Sequence, residues 1–245
     1  MSDGITYELV RVRATDAEET TVYLVRHPLA TTAIRLVHFP EPQRLDHWCA
    51  AHDHPEAMVG GFFLRDPYRP LGEARIDSAP IEHEAVPSQW ASKRGCLHID
   101  GKVWIGPREQ LRENPPGDLL QVGPLLVSEG CSLIDGEDRE GFSAGSAQFD
   151  SDITIGSYPR CALGISETEL LAVCCDGRRS GVDGGLDLGE LARLMITFGA
   201  QEAINLDGGG SATLVHRKHL LNRPYSDQDQ PAPESRPVVT ALLFE

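Results

Sequence analysis

Hydrophobic and polar residues alternate along this chain in short runs, and the period of each run decides its element. Alternating stretches rich in β-branched residues predict strands at residues 5–12, 20–26 and 32–39, which read as an opening meander. Leu45, Trp48, Cys49 and His52 fall on one face at helical spacing, so a helix is predicted there, leading into the apolar run 57–64. Residues 65–118 are rich in Pro, Gly and charge, with short strands predicted at 96–99 and 103–105 around an Asp100-Gly101 turn. Further apolar strands are predicted at 161–166, 170–175, 203–206, 212–216 and 238–244. Between 175 and 203 the period changes. Leu188, Leu191, Ala192, Met195 and Phe198 form the stripe of a second helix, which Asp187 caps, Glu190 completes as a capping box and Gly199 ends.

The chain shows neither an internal repeat nor a low-complexity linker, and its polar candidates are spread along its length. The fold class expected is α+β: one interwoven domain over residues 1–245, with mixed β-sheets, a few amphipathic helices and an N-terminal strand series over about 1–40.

Charge narrows the partners. Lys and Arg number 22 against 37 Asp and Glu, a formal charge of −15 with a pI near 5.0. Nucleic acid is not an expected partner, because its phosphates are bound through concentrated basic surface. The longest apolar runs, such as 170–175, fall far short of the ~18 residues of a membrane span, so no membrane partner is expected either. Residues 1–8 have neither the basic start nor the apolar core of a secretory signal, which makes the cytoplasm the expected location. The six cysteines lack C-x-x-C spacing and are expected to be reduced, buried small hydrophobes.

The most informative stretch is Ala203-Ile204-Asn205-Leu206-Asp207-Gly208-Gly209-Gly210-Ser211. Alternation puts Ile204 and Leu206 on one face and Asn205 and Asp207 on the other, so Asp207 stands at a strand end. The glycines after it free the backbone to take positive φ and approach an anion or a sugar with its N–H groups; a tight β connection whose Asp satisfies turn amides fits the same residues. In the strand that begins near 160, Arg160, Ala162 and Gly164 share a face, leaving room for a guanidinium that binds phosphate or forms a structural ion pair. A second acidic strand end occurs at Asp176-Gly177-Arg178-Arg179. The paired Gly60 and Gly61 allow either close ligand approach or a bulge beneath Phe62 and Phe63.

Other chemistries fit less well. Gly141-Phe142-Ser143-Ala144-Gly145 matches G-x-S-x-G, and Asp207 with His216 or His219 keeps a hydrolase order, but the flanks are polar where a nucleophile elbow needs an apolar strand and a helix. His47, His52, Asp53 and His54, with His216 and His219, offer metal-binding groups, yet cap, surface and core roles suit such histidines too. No cofactor is indicated, while a structural or catalytic divalent cation stays open. Phosphate-loop and dinucleotide fingerprints are absent.

Gly60-Gly61-Phe62-Phe63, Gln121-Val122-Gly123-Pro124-Leu125-Leu126-Val127, Pro159-Arg160 leading to Gly164-Ile165, Asp176-Gly177-Arg178 and above all Asn205-Leu206-Asp207-Gly208-Gly209-Gly210-Ser211 resemble the phosphodiester glycosidase family. The resemblance runs from about Leu45 to the segment Arg236-Pro237-Val238 and beyond, with one departure: Val59 stands where the family commonly has Asn. It implies a hydrolase that cleaves the bond between an anomeric carbon and phosphate in a small-molecule or glycan sugar phosphodiester. Asp207 and then Asp176 are the expected catalytic carboxylates, with retention or inversion left open. Arg160, Arg178, Asn205, Gly60, Gly61, Gly208, Gly209, Gly210 and Ser211 are the expected substrate contacts, Arg160 and the loop amides meeting the phosphate charge. If Val59 faces the sugar, an altered substrate preference follows. A non-catalytic phosphosugar-binding protein and a metal-dependent phosphodiesterase are the alternatives.

Overall fold

The computed structural model describes residues 4–14, 19–86, 94–134, 156–225 and 234–245. The first third holds strands β1 (Thr6–Arg13), β2 (Glu19–Pro28) and β3 (Ile34–Gln43), helix α1 (Leu45–His52), and strands β4 (Glu56–Val59), β5 (Phe63–Arg65), β6 (Tyr68–Pro70), β7 (Ala74–Ile76) and β8 (Ala79–Pro80). Next come β9 (Gly95–Ile99), β10 (Val103–Pro107), β11 (Asp118–Val122), β12 (Leu125–Ser128) and β13 (Cys131–Ser132). The last third holds β14 (Arg160–Ile165), β15 (Glu169–Cys175), helix α2 (Leu188–Thr197), β16 (Glu202–Asn205), β17 (Leu214–His216), β18 (His219–Leu220) and β19 (Val238–Phe244).

Seven strands make the largest sheet, in the order β1-β2-β15-β14-β16-β12-β13. Two five-stranded sheets, β10-β9-β11-β7-β8 and β18-β17-β4-β19-β3, and the hairpin β5-β6 accompany it. The architecture is mostly β-sheet with two α-helices among the described residues. Pairing between the named strands is antiparallel throughout, which corrects the expectation of mixed sheets. Parallel neighbours need a long crossover, usually a helix, and the two helices here are short.

The middle of the seven-stranded sheet is buried on both faces. Along β15, Leu170, Ala172 and Cys174 pack into the larger core, shared with β4 and β19 of the β18-β17-β4-β19-β3 sheet. Leu171, Val173 and Cys175 pack with Leu188, Leu191, Ala192 and Met195 of α2. A strand covered on both sides reads as a continuous apolar run rather than an alternating one, which accounts for the composition of 170–175. The α2 stripe, its capping box and its end all form as the sequence predicts.

The opening meander does not form. β1 and β2 pair, but the other edge of β2 is taken by β15, and β3 crosses to pair with β19. β15 brings apolar side chains for two cores at once, so it outcompetes the half-polar β3 for the central place. Five cysteines are buried as expected, with Cys161 and Cys174 facing each other across β14 and β15, sulfur atoms 3.3 Å apart; Cys131 is exposed.

Candidate active site

β14 begins, and β15 and β16 end, at one margin of the central sheet. Three glycines clear the space there. A Cβ on Gly177 would lie 2.6 Å from the Pro159 nitrogen, one on Gly208 2.6 Å from the Pro159 oxygen, and one on Gly185 2.5 Å from the Tyr158 nitrogen. Real Cβ contacts are never that close, so the Tyr158-Pro159 backbone is reached from three sides only because side chains are missing. Asp176 and Asp207 flank this backbone just past the ends of β15 and β16, strands that lie two strand spacings apart in the sheet, about 10 Å.

Asp207 sits just past β16, 8% exposed. Its amide donates to the Gly60 carbonyl at 3.0 Å, which ties the end of β16 to the end of β4. Its carboxylate accepts the Gly208 amide at 2.9 Å and a bond from the Ser211 hydroxyl. Burial raises its pKa to about 7, even though the Ser211 hydroxyl, the charge of Arg236, the Gly208 amide and the charge of Arg65 all favour the ionised form. A carboxyl poised near neutrality can exchange a proton during turnover.

The loop that follows is a 3-10 turn over Gly209–Ser211. It does not present a row of open amides, contrary to expectation. Gly208 N–H is spent on Asp207, Gly209 N–H on the Pro159 carbonyl at 2.7 Å and Ser211 N–H on the Gly208 carbonyl at 3.0 Å. Two arginines lie against it instead. The Arg178 guanidinium is 3.4 Å from where a Gly209 Cβ would be, and that of Arg236 is 2.4 Å from the corresponding point on Gly210. Gly209 also has φ +54, the left-handed region in which β-branched residues are strained. Arg236 reaches the Ser211 hydroxyl at 3.5 Å, and Arg178 stacks on the Tyr158 ring with 5.6 Å to the centroid.

Asp176 has different company. One carboxylate oxygen accepts the Tyr23 hydroxyl at 2.8 Å and the other the Arg223 amide at 2.7 Å. Burial raises its pKa to about 6 against those two bonds and the charge of Arg223, with nearby Asp183 pushing the same way as burial. This carboxylate fastens β2 and the 223 backbone to the end of β15.

Arg160 is 2% exposed, and its guanidinium donates to the carbonyls of Leu186 at 3.1 Å and Gly156 at 3.3 Å while lying over Tyr158. Farther along the same strand face α2 closes over Gly164, where a Cβ would meet Met195 at 2.6 Å. Asn205 is buried opposite Ala162, its amide on the Pro124 carbonyl. Gly60 and Gly61 pack beneath the loop: a Gly60 Cβ would fall 2.5 Å from the Thr240 hydroxyl, and Gly61 N–H donates to that hydroxyl at 2.9 Å. Val59 is fully buried in the larger core, paired with Ala241. The condition on which an altered substrate preference was expected, Val59 facing a sugar, is not met, since the side chain lies in the core.

Sequence reasoning passed over Arg65 and the site role of Arg236. The lead-in to Arg236 is clamped by the start of α1: Ser235 donates to Asp46 at 2.5 Å, and Arg44 bonds both the Ser235 carbonyl and, at 3.1 Å, Glu234. An Arg-Pro before the last strand was the available signal. The rival constellations do not assemble here. His216 pairs with Glu56 at 2.9 Å rather than with Asp207, His52 and His54 stack on Trp48, and Asp53 pairs with Lys218. The Gly141 to Gly145 run lies outside the described residues.

The family model described as phosphodiester glycosidase matches residues 55–245. No curated protein matches the sequence. Among solved structures, the catalytic domain of zebrafish N-acetylglucosamine-1-phosphodiester alpha-N-acetylglucosaminidase, auto-inhibited by its pro-peptide, superposes with a TM-score of 0.71 at 20% identity, covering 98% of this chain and 82% of that one. A hypothetical protein from Synechocystis gives 0.64 at 17% identity, over 98% and 62%. A suspected exported protein of Burkholderia pseudomallei gives 0.64 at 14%, over 93% and 74%. At such identities the structural likeness carries the fold, while the match over 55–245 carries membership: the chain belongs to the phosphodiester glycosidase family.

Proposed function

We propose that this protein hydrolyses a sugar 1-phosphodiester between the anomeric carbon and the phosphate, with Asp207 as the reacting carboxylate. The observation that carries the reading is Asp207 itself, buried with a pKa near 7 beside Ser211, Arg236 and the glycine turn. A phosphate monoester leaving group has a second pKa of ~6, so it departs with little help from a general acid and needs cations instead. Arg178 and Arg236, on either side of the turn, suit that task. On the sugar side, the Asp207 carboxylate activates water or steadies the oxocarbenium-like centre. The Ser211 hydroxyl and the Gly208 amide hold the carboxylate, and the Gly60 carbonyl fixes the backbone beneath it by accepting the Asp207 N–H. Arg160 and Asp176 act as buttresses of the strand ends in this reading, because the bonds named above already engage them.

The test is incubation with a panel of sugar phosphodiesters in oxygen-labelled water. The expected product is a reducing sugar carrying the label and an unlabelled phosphate monoester. Label in the phosphate overturns the reading in favour of a phosphodiesterase, and tight binding without product overturns it in favour of a binding protein.

A further inference from the structure

β1 differs from every other long strand of the molecule. Six of its eight positions are exposed and Val10 and Val12 are half-buried; one face touches the molecule where Tyr7 stacks on His216 of β17, 5.7 Å between ring centroids, and the other where Val12 borders the α2-side core. Among the described residues its hydrogen-bonded neighbour is β2 alone. Tyr7, 40% exposed, and Leu9, 55% exposed, sit on one face of it; with Tyr68 they are the large exposed hydrophobic side chains of the described residues. The strands at other sheet margins are blunted. β8, β13 and β18 are two residues long, β10 ends on Gly106-Pro107, and β3 carries Pro40 and Pro42. Short strands and prolines keep an edge from recruiting another chain. β1 has no Pro, Gly or Lys and is dominated by strong strand formers.

We propose that β1 is a self-association edge that pairs antiparallel with β1 of a second copy of this chain. A two-fold axis normal to the sheet keeps like faces together, so residues facing each other across it must both be odd-numbered or both even-numbered. Centring the axis on Leu9 brings the two Leu9 side chains together, sets Tyr7 opposite Arg11 of the second copy and sets Glu8 opposite Val10. No like charges meet. The Arg11 guanidinium is turned back over β2 to Thr21, Glu19 and Asp183, so it brings no unpaired charge to the seam. Arg11 pairs with Glu19 and Asp183 and Glu8 with Arg26, so on a chain of net charge −15 this edge is locally balanced and adds little to the repulsion between two copies.

Sedimentation equilibrium of the full chain tests this. The mass should rise from one chain toward two with concentration, and added salt should strengthen the association by screening the shared negative charge. Leu9→Lys should weaken it at least about tenfold with an unchanged melting temperature, since Leu9 touches little of its own core. Leu9→Cys under mild oxidation should trap a disulfide-linked dimer, well above the background from exposed Cys131 in the wild type, while Val10→Cys, on the opposite face, should trap far less. A wild-type chain that stays monomeric at every concentration overturns the proposal. So does a dimer that Leu9→Lys leaves intact, or Leu9→Cys crosslinking no better than Val10→Cys.

Discussion

The two Asp-Gly strand ends, Asp176-Gly177 and Asp207-Gly208, present the same local pattern and have opposite surroundings. Both terminate buried strands of one sheet, and both following glycines close on Pro159. Yet Asp176 has both oxygens occupied, by a tyrosine hydroxyl and a backbone amide, with one cation, Arg223, nearby, while Asp207 meets a serine hydroxyl, the Gly208 amide and the charges of two arginines, Arg236 and Arg65. What each carboxylate can do is decided by the groups that arrive from elsewhere in the chain. A carboxylate with both oxygens fastened to β2 and the 223 backbone is a strut in the proposed reading; the one between Arg236, Arg65 and the buried glycine turn is the candidate for an anionic substrate.

The sharpest way to break the comparison is to neutralise each end in turn. Asp207→Asn should lower kcat by about 10²- to 10⁴-fold, the usual worth of a proton-transferring or charge-stabilising carboxylate, whereas Asp176→Asn should cost less than about tenfold. Equal losses in steady-state kinetics would make both carboxylates catalytic and dissolve the contrast. A smaller effect separates the arginines. Arg236→Ala should reduce kcat/KM for a phosphodiester by about 10- to 100-fold, the value of a charge-assisted contact, and Arg223→Ala by under about threefold, since residue 223 bonds Asp176 through its backbone. The rate should rise with pH through about 7 as Asp207 ionises, and Arg236→Ala should move that midpoint upward by removing a cation that favours the carboxylate.

Stability against pH sharpens the same point. Asp207 has a folded pKa raised from 3.8 to about 7, so its stabilising contribution is present below about pH 4 and is lost as pH rises through 7. Above pH 8, Asp207→Asn should therefore be more stable than the wild type, by on the order of 2 to 3 kcal/mol, with the difference vanishing near pH 4; denaturant titrations at the two pH values check it. The smallest effect belongs to Val59→Asn, which buries an amide in the larger core and should cost about 1 to 3 kcal/mol while leaving relative substrate preference unchanged. A shift in preference at constant melting temperature would return Val59 to the pocket.

Much of this was legible in the chain. The α2 stripe with its capping box, the hairpin turning at Asp100-Gly101 and the placement of Asp207 at a strand end follow from spacing within a dozen residues. The open-amide loop failed as an expectation because the amides of Gly208, Gly209 and Ser211 find acceptors in their own turn and in Pro159, partners that alternation cannot reveal. The partners of Arg160 were hidden for a related reason: small neighbours on a strand face suggest space, while its guanidinium donates to the carbonyls of Leu186 and Gly156, which come from outside its strand.

By itself the sequence determined the local periods, the glycines that a close backbone approach requires and the acidic balance, because each depends on residues near one another or on a simple count. Only the tertiary structure decided that β3 abandons β2 for β19, that Val59 faces the core and that Arg236, 29 residues beyond Asp207, comes to lie against Gly210. Those outcomes rest on competition between distant apolar surfaces for the same strand edge and on a clamp between α1 and the start of β19. Such contacts depend on which surfaces meet when the layers close, and no window along the chain contains both partners.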